Sequence, residues 1–130
     1  MGWTMLGEDR SVKELEALGA EMLGKEEAIF VPTCSIANLL TLMTLGKRGT
    51  QVVLEAKSHI ACLEHWNVAY ICGLFSRLIE GIHGIMNPVT VDEVISEAKY
   101  FGLPGTSVVC LENTHNNAGG TIVTAEQIEN

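Results

Sequence analysis

In "SVKELEALGAEMLG" the apolar residues Val12, Leu15, Leu18 and Leu23 recur at the spacing of one helical face. Asp9 or Ser11 can cap the start of this helix, and Gly24 can end it. The continuous apolar run "AIFV" stops at Pro32 and predicts a buried strand. "SIANLLTLMTLG" predicts a mostly buried helix, with Ser35 near its N-terminus and Gly46 past its end. Further strands are expected at "QVVLEA", "LFSRLIEG" and "SVVCLEN". Between them "HIACLEHWNVAYICG" and "VDEVISEAKYFG" predict helices, the second capped by Thr90. "GTIVTAEQIEN" should begin as a short strand and enter a last helix at Thr124. Helix and strand alternate throughout. That order predicts an α/β fold, a mainly parallel sheet with helices on both faces, built as one unit over residues 1–130. In such sheets ligands gather at the carboxyl ends of the strands, and two polar-rich stretches, "VPTCSIAN" and "LENTHNN", fall at such ends.

Composition narrows the class. Hydrophobic residues make up 47% of the 130 positions and charged residues 18%, which suits a globular chain with a sizeable core. A formal net charge of −8 argues against a nucleic-acid or anionic-membrane surface, which needs clustered Lys and Arg. No apolar run reaches the ~18–20 residues of a membrane span, and no basic start leads into an apolar stretch. Cys34, Cys62, Cys72 and Cys110 are scattered and form no C-x-x-C pair, the pattern of reduced thiols in the cytoplasm. A mean hydropathy of +0.24 is high for a soluble chain and points to surfaces that expect more chain or another subunit.

Three stretches carry candidate chemistry. In "FVPTCSIAN" a strand end meets a helix start, where main-chain N–H groups and the Thr33 and Ser35 hydroxyls can cradle a phosphate or simply cap the helix. His59 follows a strand end, where a flat imidazole can stack on an aromatic ligand or serve as an ordinary loop residue. His59, Cys62 and His65 are spread too widely around a helix to share one ion, so no metal site is expected. In "ENTHNN", Glu112 and Asn113 can brace the following loop, while His115 has the near-neutral imidazole suited to acid–base work.

Taken in order, these stretches resemble the threonine aldolase and aromatic amino-acid β-eliminating lyase family, pyridoxal-phosphate enzymes of the aspartate-aminotransferase fold type. The likeness rests on "LGEDRSVKELEALGAEMLGKEEAIFVPTCSIAN", "LEAKSHI" and, most specifically, "CLENTHNNAGGTIVT". It implies a partial three-layer αβα large domain. It also implies that Cys34 and Ser35 hold the cofactor phosphate, that His59 stacks on the pyridine ring, and that His115 lies by the substrate hydroxyl. Glu112 and Asn113 would belong to the same pocket wall. The implied reaction cleaves a β-hydroxy amino acid to glycine and an aldehyde, in a protein that forms a homo-oligomer.

Departures accompany the likeness. Cys34 stands at a usual glycine, Trp3 and Thr4 at two aspartates, Leu6 at a tyrosine, Arg10 at a proline and Leu63 at an active-site tyrosine. None of the five lysines (Lys13, Lys25, Lys47, Lys57 and Lys99) has the context of the family's cofactor-bearing lysine. The resemblance therefore covers the front part of the large domain, and a missing C-terminal part of the same enzyme is the expected partner. Two readings follow: a piece of a pyridoxal-phosphate lyase acting on a small amino acid, or a non-catalytic α/β module that retains phosphate-ester binding or serves as an assembly partner.

Overall fold

The computed structural model describes residue 7 and residues 9–129. Trp3, Thr4 and Leu6 lie outside the described residues. The chain divides into two compact units, residues 1–36 and 37–130.

In the first unit, helix α1 (Arg10–Leu23) begins where the Asp9 carboxylate accepts the N–H groups of Ser11 and Val12. It ends at Gly24, whose φ of 61° suits a residue without Cβ. "AIFV" is no strand. It runs unpaired, and the Phe30 N–H donates instead to Glu16 Oε1 at 2.8 Å. Helix α2 (Cys34–Leu45) opens at the end of this unit, with the Thr33 hydroxyl accepting the Ile36 N–H at 3.2 Å. The rest of α2 belongs to the second unit. It is less enclosed than its composition suggests: Leu42 is buried, but Leu40, Met43 and Leu45 are exposed.

The second unit holds a parallel sheet of order β2-β1-β3, formed by β1 (Gln51–Glu55), β2 (Phe75–Ile79) and β3 (Thr106–Cys110). Central β1 buries Val52, Val53, Leu54 and Glu55. Because side chains alternate along a strand, β1 feeds two cores. Val52 and Leu54 pack with Leu42, Val68, Cys72 and Leu74 on the side of α2, α3 (His59–Leu63) and α4 (His65–Tyr70). Val53 packs with Ile79, Met86 and Val94 on the side of α5 (Pro88–Tyr100). That is the expected αβα layering.

Three boundaries differ from the sequence expectation, each for a tertiary reason. The helix expected from residue 59 to 73 breaks at Glu64, whose side chain turns inward to take hydrogen bonds. Helix α5 starts earlier than Thr90: the Asn87 side chain accepts the Val89 N–H at 2.9 Å, and Pro88 occupies the first turn, where its missing N–H costs nothing. The expected strand at "GTIV" is reduced to one bridge, His115 with Thr121, because Asn113 takes both main-chain groups of Val123. Thr124 does open the last helix, α6 (Ala125–Glu129), its hydroxyl accepting the Gln127 N–H.

Candidate functional site

The connections leaving β1 and β2 run over opposite faces of the sheet, so the crevice at the carboxyl ends of β1 and β3 is a topological switch point. "AKSHI" leaves β1 there and "LENTHNN" leaves β3. Side-chain chemistry fastens the two segments together.

His59 opens α3, whose first turn is capped by the buried Ser58 hydroxyl. Its main-chain N–H donates to Glu112 Oε2, while Glu112 Oε1 accepts the Asn116 N–H at 2.8 Å. One carboxylate thus ties the loop after β3 to the start of α3. The His59 ring is fixed separately. Its Nε2 lies 2.8 Å from Oε1 of Glu64, an oxygen that also accepts from Asn38 Nδ2 at 3.2 Å. The His59 side chain remains 37% exposed, whereas that of Glu64 is 6% exposed. An imidazole held at ring and backbone but accessible on its surface is well suited to stacking.

His115 has a different setting. It is 1% exposed, and its Nε2 meets Oε2 of Glu55, itself 2% exposed, at 2.8 Å. Strand parity puts Glu55 on the Val53 side of β1, toward α5, whereas His59 and its partners Glu64 and Asn38 lie on the α2–α4 side. The two loops converge at the carboxyl end of the sheet, but His59, expected at the cofactor ring, and His115, expected at the substrate hydroxyl, turn into opposite layers and not toward one face. Glu55 is fully engaged: Oε2 also accepts the Lys57 N–H at 2.7 Å, and Oε1 accepts the Gly81 N–H at 3.1 Å. Among the described residues, His115 Nδ1 has less than 1 Å² accessible and no hydrogen-bond partner.

A tight turn closes over this pair. Ile82 and Ile85 pair across His83 and Gly84, both with positive φ (54° and 80°), the pattern of a two-residue primed turn. Gly84 rests on the His115 ring, and a cleft of about 190 Å³ bordered by Lys57, His83 and Asn117 runs alongside. Beyond these, the peptide bond between Asn113 and Thr114 is cis.

Cys34 and Ser35 lie exposed in the first turn of α2, in the first unit, where N–H groups point along the helix axis. Leu63 is exposed on α3, and Arg10 pairs with Glu14 on α1. Burial pushes the Cys110 thiol pKa up, and it does the same at Cys72 against the opposing pull of Arg48. Among the described residues no cluster of ligating side chains could hold a metal ion, and no helix is long and apolar enough to cross a membrane.

Sequence reasoning missed Glu55, Glu64 and Gly84. Glu55 left one signal, a carboxylate closing an apolar strand at a position whose parity faces a core. Glu64 and Gly84 left none, since both depend on partners far along the chain.

A sequence model of the β-eliminating lyase family matches residues 1–130. The low-specificity L-threonine aldolase 1 of Arabidopsis thaliana is 34% identical over 128 residues, covering 96% of this chain and 36% of its own length. The low specificity L-threonine aldolase of Escherichia coli (strain K12) is 30% identical over 118 residues, or 89% of this chain and 35% of its own length. An alanine racemase of Cochliobolus carbonum is 29% identical over 131 residues, with 98% and 33% covered. The chain spans about a third of the length of these curated relatives.

Proposed function

The chain belongs to the β-eliminating lyase family, and from that premise we propose that it is the cofactor-anchoring portion of a pyridoxal-phosphate lyase. Its substrate class would be β-hydroxy amino acids of the threonine type, cleaved to glycine and an aldehyde. The observation that carries this reading is His59: an imidazole fixed at ring and backbone yet accessible, at the carboxyl end of the central strand.

The residues present fit part of the cofactor. The exposed first turn of α2 offers Cys34 and Ser35 for the phosphate, where a helix N-terminus favours an anion. His59 would stack on the pyridine ring and hold its plane, keeping the bond to be cleaved aligned with the π system. Glu112 and Glu64 would hold His59 in that pose. Pyridoxal phosphate, when bound, supplies an electron sink for the bonding pair released as Cα–Cβ breaks. Withdrawal of the substrate hydroxyl proton is assigned to His59, directly or through water, because its imidazole is accessible where that of His115 is enclosed. Lys57 lies on this end of the sheet and borders the α5-side cleft, and none of the five lysines has the sequence context of the family's cofactor-bearing lysine. The cofactor-bearing lysine is therefore proposed to come from a further part of the enzyme, in a homo-oligomer.

The test is to incubate this chain with pyridoxal phosphate, reduce with borohydride, map pyridoxyl-lysine by mass spectrometry, and assay aldehyde release from threonine and allo-threonine. The same assay is run after adding the C-terminal two-thirds of a threonine aldolase relative. Aldehyde release only with the added part is the expected result. One specifically labelled lysine with aldehyde release by this chain alone would overturn the division of labour. Cofactor binding without turnover in either mixture would favour a non-catalytic phosphate-ester-binding module instead.

A further inference from the structure

We infer that Glu55 and His115 form a buried positioning clasp that sets the pose of His59, and that His115 does not itself exchange protons with substrate. Three contacts fasten the loop after β3 to the segment leaving β1. Glu55 receives His115 Nε2, the Lys57 carbonyl receives Asn117 Nδ2 at 2.7 Å, and the His59 N–H reaches Glu112. The outer two involve exposed or half-buried groups, while in the first both side chains are almost fully buried beside the cleft they help to line. Each contact restrains the same loop after β3, so loosening the buried one also loosens the carboxylate that holds His59.

The protonation pattern follows from the donors. Glu55 already accepts two main-chain N–H groups, one on each oxygen, so its carboxylate acts as an acceptor toward the imidazole as well. Nε2 of His115 therefore carries the proton and donates it. Nδ1 is left as an acceptor with no partner among the described residues and under 1 Å² accessible. Among the described residues, no group that could give it a proton lies within hydrogen-bond distance. A residue meant to take a proton from substrate needs an accessible nitrogen within hydrogen-bond reach. His115 has neither nitrogen free at a surface, whereas the His59 side chain is 37% exposed.

The inference rests on the cofactor reading only where it concerns pyridoxal phosphate; the clasp stands on its own contacts. The test uses the 130-residue chain and four variants: Glu55→Gln, Glu55→Ala, His115→Ala and His115→Gln. Two quantities are read, amide hydrogen exchange at His59 and Asn116 and the affinity for pyridoxal phosphate. Loss of one such hydrogen bond should speed exchange at both amides ~10-fold in Glu55→Ala and His115→Ala, and weaken cofactor binding by about the same factor. Glu55→Gln should behave like Glu55→Ala, because an amide offers one acceptor oxygen to three donors. His115→Gln keeps an N–H near the Nε2 position without a titratable ring. It should stay within about threefold of the unsubstituted chain in both measurements. If the Glu55 variants fail to fold, the two His115 variants decide alone. Equal damage in His115→Gln and His115→Ala, or exchange at His59 indifferent to His115→Ala, would overturn the inference. An unsubstituted chain that binds no pyridoxal phosphate would sink the cofactor reading and leave the exchange result to judge the clasp.

Discussion

Adding one methyl group at Gly84 should be among the most damaging single changes in the second unit. A Cβ there would fall 2.4 Å from both Cγ and Cδ2 of the His115 ring and 2.9 Å from its Cβ. The ring cannot yield easily: it is 1% exposed and pinned through Nε2 to Glu55. Its neighbours are also committed, since Gly81 would bring a Cβ within 2.8 Å of Glu55 Cγ. Gly84 moreover has φ of 80°, which costs an L-residue ~1–2 kcal/mol. Overpacking a filled interior costs ~1–3 kcal/mol. The stiffer unfolded chain returns ~0.4–1 kcal/mol. The net for Gly84→Ala is a loss of ~2–4 kcal/mol, or roughly 10 °C in Tm for a chain of this size. Urea and thermal melts followed by circular dichroism measure it. Gly102→Ala is the matched control, with φ of 64° and nothing within 4 Å of its added Cβ, so it carries the backbone strain alone. In a His115→Ala background the clash is gone, and the Gly84→Ala loss should shrink by more than ~1 kcal/mol. Equal losses for Gly84→Ala and Gly102→Ala, or no coupling to His115, would refute the packing account.

Other outcomes are equally definite. Iodoacetamide at pH 8 should modify the exposed Cys34 and Cys62 well before Cys72 and Cys110, as peptide mapping would show. Burial raises both slow thiols above the ordinary 9.0, so their contribution to stability is intact below pH 9 and is lost as pH climbs through the folded values. Urea midpoints across pH 8–11 should shift less once both thiols are replaced by alanine. Leu54→Ala, at a fully buried position of the central strand, should cost ~2–5 kcal/mol in the same melts. Asn87→Ala removes the cap of α5 and should cost ~1 kcal/mol. Trp66, Tyr70, Phe75 and Tyr100 are all more than half exposed, so the purified chain should self-associate and bind a hydrophobic dye; a monodisperse monomer without dye binding would contradict this.

What could be read from residue order was the local grammar and the chemistry it delivers to the strand ends. Strands β1 and β3 were legible from the apolar runs Val52–Leu54 and Val108–Leu111, and β2 from its apolar residues on either side of Ser76 and Arg77. The α1 caps were legible because Asp9 and Gly24 act within their own turn of chain. The placement of "SHI" and "ENTH" just past strand ends was legible because they follow strands of a parallel sheet. "AIFV" misled because an apolar run becomes a strand only where a neighbour offers a ladder, and the Phe30 N–H went to Glu16 instead. The break at Glu64 and the fate of "GTIV" were likewise settled by distant partners, Asn38 in one case and Asn113 in the other. The decisive division lies between the two histidines. By residue type His59 and His115 look equivalent, yet strand parity at Glu55 draws one imidazole into the α5 layer while Glu64 keeps the other at the surface of the α2–α4 layer. Only packing sets which side of a sheet a loop side chain meets, because a loop residue has no periodicity of its own to announce it.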